Sequence, residues 1–179
     1  VYLSLASAYT FFFKKIRYFD LILLMSFYLI RLISGGIATE ILISIWLLFF
    51  SIFIFLFLAI IKRFSEIRLL NFSLNKTTLG RGYAIKDLKV ISILAIISGY
   101  ASIIIFSIYI NIPAVQVLYP NNNLLWLVFA NLLFWINRIL YLTYRGKMLH
   151  DQIVFFLKDP FTYLSIAFIF LSVIFASKP

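Results

Sequence analysis

Cysteine is absent from this chain, and histidine occurs once, as His150. The first absence excludes a disulfide framework and thiolate metal sites, and the second excludes a histidine-rich one. Charge is scarce too: 12% of the residues are Asp, Glu, Lys or Arg, where a soluble domain carries about 25%. The apolar runs do not alternate with polar residues, so a membrane barrel, whose strands read as roughly ten-residue alternating segments, is excluded. No internal repeat, low-complexity linker or soluble domain is visible. No charged segment precedes the first apolar stretch, so a signal peptide is not expected. The chain opens at Val1 inside an apolar stretch and reads as the C-terminal part of something longer.

What is present is hydrocarbon. Of the 179 residues, 64% are hydrophobic, and the mean hydropathy is +1.08. Together with the scarcity of charge, this makes the chain an all-α, polytopic membrane protein, a bundle of transmembrane helices. Val1–Phe13 reads as the trailing end of one span, closing on Lys14, Lys15 and Arg17. Asp20 sits where an N-cap or first-turn carboxylate favours a helix start, and Leu21–Ser34 continues apolar to Gly35-Gly36, with Glu40 in a short turn beyond. Ile41–Ile61 and Val90–Ile110 are uncharged runs of twenty-one residues, each enough for roughly 30 Å at 1.5 Å per residue. Leu124–Tyr144 and Phe161–Ser177 complete the set. The expectation is five full spans plus the end of a sixth.

The net charge of +10 lies between spans rather than on one polar face, which argues for membrane sidedness and against nucleic acid. Alternate connections hold three, seven and four basic residues, fourteen of the sixteen in the chain. That asymmetry predicts a plasma (inner) membrane protein with these connections in the cytoplasm and the C-terminus outside.

Lys62–Lys89 is the longest polar interval. Lys62 and Glu66 share a helix face at its start, and Gly80 and Gly82 flank Arg81 in a permissive turn before Tyr83. Each candidate has a plain reading beside its chemical one. Basic residues at helix ends set topology and meet lipid headgroups, and Lys62 with Glu66 reads equally as a helix-end ion pair. Arg31 lies about 16 Å along its helix from Asp20 and either snorkels toward Glu40 or faces a cavity. Asn131 and Asn137 read as interhelical hydrogen-bonding residues, and His150 as a solvated loop residue. Gly35-Gly36 and Gly99 would mark helix breaks if the bundle were a transporter.

The order of several segments carries a resemblance. Tyr9-Thr10-Phe11-Phe12-Phe13-Lys14 ends one helix, Leu29–Gly36 reads LIRLISGG, and Lys62–Ile67 reads KRFSEI. Gly80–Tyr83 follows as GRGY with Asp87-Leu88, then NIPAVQVLY (Asn111–Tyr119), LFWINRI (Leu133–Ile139) and Arg145–Asp159. From about Tyr9 to Asp159 the chain resembles the C-terminal part of the UbiA superfamily of intramembrane prenyltransferases. The branch it is most similar to is that of decaprenyl-phosphate phosphoribosyltransferase, some of whose members carry a haloacid-dehalogenase-like phosphatase domain ahead of the membrane part.

The resemblance implies that residues 1–179 form the C-terminal part of a roughly nine-helix fold. It also implies a cytoplasm-facing cavity for a polyprenyl phosphate or diphosphate and Mg²⁺ held by two acidic motifs. The first motif, of the NDxxDxxxD kind, has no counterpart here, and the second corresponds to Lys62–Glu66 with one carboxylate. Under it, Lys62 and Glu66 are the catalytic pair and Glu66 the metal ligand. Lys14, Lys62, Arg63, Arg81, Tyr83 and Arg145 would bind phosphate, with Lys147 second to them, and the spans would accept the isoprenoid tail among membrane lipids. The expected function is Mg-dependent prenyl transfer, or phosphoribosyl transfer to a polyprenyl phosphate, with this piece inactive alone. The alternatives are a transporter or flippase-like bundle for an anionic lipid or solute, and a membrane scaffold subunit.

Overall fold

The computed structural model describes residues 18–40, 43–72, 83, 85–147 and 152–178. Among these there is no strand. The helices are α1 (Phe19–Ala38), α2 (Ile45–Phe72), α3 (Leu88–Ile110, entered through a 3₁₀ turn at Ile85–Asp87), α4 (Pro113–Leu118), α5 (Asn123–Tyr144), α6 (Gln152–Lys158) and α7 (Pro160–Ala176). Four of them, α1, α2, α3 and α5, are long and apolar enough to cross a membrane. The fifth long helix, α7, has 17 residues, about 25 Å, the short end of what can span. The protein is an all-α polytopic membrane bundle. The five long helices fall on the five expected runs, and the expected helix end at Val1–Phe13 lies outside the described residues.

Two boundaries differ from expectation. Helix α1 does not stop at Gly35-Gly36 but continues to Ala38, where the Thr39 hydroxyl donates to the Gly35 carbonyl at 2.9 Å. Glycine ends helices readily in water because water accepts the freed backbone groups. In hydrocarbon those groups must be satisfied within the helix, so the helix persists. Helix α3 likewise runs unbroken through Gly99, so neither glycine site breaks a helix. Helix α2 extends through Lys62–Glu66 to Phe72, about 42 Å in all.

Small residues bring the centre of the bundle together. On α3, Ala95, Ser98, Gly99 and Ser102 are buried, and Gly99 lies against Phe57 of α2 and Ile136 of α5, both fully buried. Close backbone approach through small residues is what packs helices where lipid removes the hydrophobic drive between them. Ser98 and Ser102 return their hydroxyls to the carbonyls of Leu94 and Gly99 on their own helix, so no polar atom is stranded there. Helix α1 packs on α2, and α7 on α5. The two asparagines act between helices as expected. Asn131 donates to the Ser165 carbonyl of α7 at 3.1 Å, and Asn137 accepts from the Tyr100 hydroxyl of α3 at 2.7 Å.

The chain runs up and down, which puts the start of α1, the end of α2, the start of α3, the end of α5 and the start of α7 at one end. The other end is closed by Asn121, whose N–H donates to the Ala176 carbonyl and whose side chain donates to that of Lys178, and by Asn122 donating to Ile110. Helix α5 finishes in a Schellman turn: Gly146 (φ 74°) donates to Thr143, and Lys147 to Leu142. Arg68 of α2 completes that cap by donating to the carbonyls of Thr143 and Tyr144, so the extension of α2 is tied to α5.

Candidate functional site

The basic end of the bundle holds a buried cluster built from three elements. Arg63, 2% exposed, lies on the face of α2 that meets α1, and its two terminal nitrogens are taken by different carboxylates. Nη2 pairs with Asp20 in the first turn of α1, and Nη1 donates to Glu66 one turn along α2. Asp20 is fully buried. Its other oxygen accepts from the Tyr83 hydroxyl, which itself accepts from the Tyr18 backbone N–H at 2.8 Å. The Tyr83 ring lies 5.5 Å from the Arg63 guanidinium carbon and edge-on to Tyr18 at 5.9 Å.

The physical reason for the cluster is the cost of a guanidinium out of water, several kcal/mol unless it is paired and hydrogen-bonded. Asp20 supplies the pairing, and Tyr83 donates to the carboxylate's other oxygen. Burial, and then the bond to Asp20, push the Tyr83 phenol above its ordinary pKa, so it stays a protonated donor at physiological pH. Tyr18 takes a positive φ of 61°, which a non-glycine residue holds only where its surroundings over-determine it. Here the hydrogen bond to Tyr83 and the ring contact do so.

Four of the residues expected from the sequence therefore lie in this cluster or directly beside it on α2: Lys62, Arg63, Glu66 and Tyr83. Lys62 is half-buried, Glu66 is 28% exposed, and Tyr83 is 3% exposed. The expected phosphate role of Arg63 meets a different geometry, since the side chain is enclosed and both Nη atoms already serve carboxylates. Tyr83 is similarly committed to Asp20 and Tyr18. Arg145, beyond the end of α5, is exposed and lies over the Tyr141 ring at 5.1 Å, and Lys147 is exposed as well. Lys14 and Arg81, with Gly80, Gly82 and His150, lie outside the described residues. Arg31 is exposed, with its guanidinium carbon 5.8 Å from the centre of the Tyr28 ring.

Asp20 is the helix-start carboxylate that the sequence suggests, and its pairing with Arg63 is what sequence reasoning missed. It stands in the first turn of α1, with no side-chain cap, and its partner is forty-three positions away. A lone carboxylate at the mouth of an apolar run was the only signal. Arg138 also has a partner not expected from the sequence. It forms a two-pronged pair with Asp159, Nη1 to Oδ2 at 2.6 Å and Nη2 to Oδ1 at 2.7 Å.

As to metal, no group of three His, Cys, Asp or Glu residues converges among the described residues. Asp20 is enclosed with both oxygens engaged. Glu66, partly exposed with one oxygen on Arg63, fits as a single ligand. Mg²⁺ commonly takes only one or two protein carboxylates, filling its sphere with water and phosphate. A narrow apolar cavity of about 230 Å³ opens beside the cluster between α1, α2 and α3, lined among others by Tyr18, Leu21, Leu56, Ile60 and Ile97.

No family model matches the chain. It is 31% identical over 160 residues to the uncharacterized protein y4nM of Sinorhizobium fredii, an overlap of 89% of this chain and 31% of that protein. It is 29% identical over 143 residues to the nodulation protein NoeC of Azorhizobium caulinodans, 78% of this chain and 46% of that protein. Over 69 residues it is 41% identical to decaprenyl-phosphate phosphoribosyltransferase of Mycobacterium tuberculosis, 38% of this chain and 23% of the enzyme. The chain thus spans under half the length of each of these relatives.

Proposed function

We propose that this chain is the C-terminal membrane part of a UbiA-like transferase acting on a polyprenyl phosphate or diphosphate, with the reacting phosphate held at the Lys62–Glu66 end of α2. The observation that carries the reading is the placement of a cation and a partly exposed carboxylate, four apart, on α2 just past its uncharged run. The partial similarity to decaprenyl-phosphate phosphoribosyltransferase supports the substrate class, because that enzyme's name specifies a lipid phosphate and a phosphoribosyl group. Prenyl transfer is the second form of the reading. The unbroken helices of the described residues favour neither of the glycine breaks that a transporter would use.

In this proposal Lys62 neutralises phosphate oxygens, aided by Arg145 and by Lys14 and Arg81, while apolar walls such as the cavity beside α1 receive the lipid tail. Arg63 and Tyr83 act from behind, holding Glu66 and the helix ends in place. Bound Mg²⁺ would offset charge on the phosphate oxygens, with Glu66 as the ligand this chain provides. Dipoles and charges fixed in advance, in a site with little water, stabilise developing charge without reorganising.

The test is transfer by the full-length protein in membrane vesicles, with labelled donor and identified product. Lys62→Ala and Glu66→Gln are each expected to lower the rate by about 10²–10³-fold, the usual cost of removing one electrostatic stabiliser. Near-normal transfer by correctly inserted variants would sink the assignment.

The orientation proposed for this site, basic end in the cytoplasm, has its own check. The chain has no cysteine, so Lys147→Cys and Lys178→Cys, introduced separately into a thiol-free background, report sidedness. A membrane-impermeant thiol reagent applied to intact cells is expected to label the second and spare the first. The reverse pattern would invert the topology.

A further inference from the structure

We infer that Asp20 and Tyr83 are positioning residues, which act through Arg63 to fix the direction in which Glu66 presents its carboxylate. The inference rests on the proposed role of Glu66 and adds two residues to it that touch neither lipid phosphate nor metal.

The geometry is a chain of four side chains with its buried end anchored and its outer end partly exposed. Tyr83 donates to Asp20, Asp20 pairs with Nη2 of Arg63, and Nη1 of Arg63 donates to Glu66. Exposure along the series is 3%, 0%, 2% and 28%. A single carboxylate would satisfy the charge of Arg63, and Asp20 is already buried against it. The second carboxylate is therefore held by the guanidinium rather than required by it. Because the fork is planar and rigid, fixing Nη2 also fixes where Nη1 points.

Three separate elements supply the anchor: the start of α1, the body of α2 and the residue that leads into α3. Tyr83 serves two bonds at one oxygen, and the positive φ of Tyr18 shows that the backbone yields to keep them. Loss of the Tyr83 hydroxyl frees one oxygen of Asp20, lets the Asp20–Arg63 pair swing, and so loosens Glu66 without touching it. A clamp that served stability alone would need no path to Glu66.

The experiment uses full-length protein carrying Tyr83→Phe, Glu66→Gln and both together, with Asp20→Asn as a second conservative route into the chain. The first readout needs no activity: thermal melting in detergent. If the chain transmits, the Tm losses of Tyr83→Phe and Glu66→Gln are non-additive although the two residues do not bond to one another, whereas independent sites add. The second is the Mg²⁺ concentration for half-maximal transfer, expected to rise about tenfold in Tyr83→Phe and in Asp20→Asn with kcat at saturating Mg²⁺ within about threefold of the parent.

Additive melting losses with an unmoved Mg²⁺ response would reduce the chain to a structural clamp and overturn the inference. Non-additive melting, with Glu66→Gln transferring normally, keeps the positioning chain and removes the transferase role instead.

Discussion

Asp159→Ala is expected to destabilise the bundle by about 3–5 kcal/mol, the usual cost of leaving a buried charge without its partner. Asp159 is 7% exposed and does two jobs. It takes both prongs of Arg138 from α5, and it caps α7 by accepting from the Thr162 N–H at 3.0 Å and the Thr162 hydroxyl at 2.6 Å. Pro160 opens α7 where a missing N–H costs nothing. Arg138 is 17% exposed and its guanidinium lies over the Phe161 ring at 4.7 Å, so removing the carboxylate strands it against apolar surface. The cap alone is worth about 1 kcal/mol. Asp159→Asn keeps the cap and loses the charge, and Arg138→Met with Asp159→Ala removes both charges and recovers part of the loss. Thermal melting in detergent ranks the variants as parent, Asp159→Asn, Asp159→Ala. A flat series would show that the pair contributes nothing to stability.

The same pair sets a pH dependence. Burial works against the Asp159 charge, but the bonds from Arg138 and Thr162 outweigh it and hold the carboxyl below its ordinary pKa. A carboxyl depressed in the folded state contributes stability that is complete above the unfolded value, about 3.9, and is lost as pH falls through the folded one. Acidification below about pH 4 is therefore expected to lower the parent's Tm more than that of Asp159→Asn.

Gly99→Leu is expected to be the second large effect. A Cβ at Gly99 would sit 3.0 Å from Ile136 Cγ2 and 3.1 Å from the Phe57 ring. Both neighbours are fully buried, so neither can swing into lipid. A methyl already asks them to move by a few tenths of an ångström, and this offsets the roughly 1 kcal/mol by which alanine outperforms glycine in a helix. Three further carbons have nowhere to go without driving α3 away from α2 and α5, at about 1–3 kcal/mol or more. Gly99→Ala should thus melt close to the parent and Gly99→Leu far below it, with a loss of monodisperse protein on size exclusion. Parent-like melting of Gly99→Leu would mean that the three helices do not depend on this contact.

Helix positions were legible because hydrocarbon thickness acts as a ruler: apolar runs of about fourteen to twenty-one residues, with at most one charge each, could be nothing else once barrels were excluded. That Lys62 and Glu66 share a face follows from the helical repeat alone. Partners were not legible. Periodicity names the face of a residue and not what lies opposite, so Asp20 with Arg63, and Arg138 with Asp159, appeared only when three-dimensional packing joined them. Arg63 reads as a ligand-facing cation in a basic segment, yet the α1–α2 contact encloses it. The glycine at the centre of α3, a break only in the transporter reading, is a close-packing point in three dimensions.

The overhang of α2 has a consequence for rates. Lys62 is seventeen residues past Ile45, about 26 Å along the axis, and so lies near the far edge of a hydrocarbon slab roughly 30 Å thick. Under the proposed function, a lipid-borne phosphate would reach it by diffusing sideways within one leaflet. Its effective concentration is then its mole fraction in the bilayer, set by surface dilution and not by the volume of the assay. Adding inert phospholipid at constant bulk ligand should slow the encounter in proportion, while a water-soluble co-reactant arriving from beyond Arg68 would remain indifferent to it.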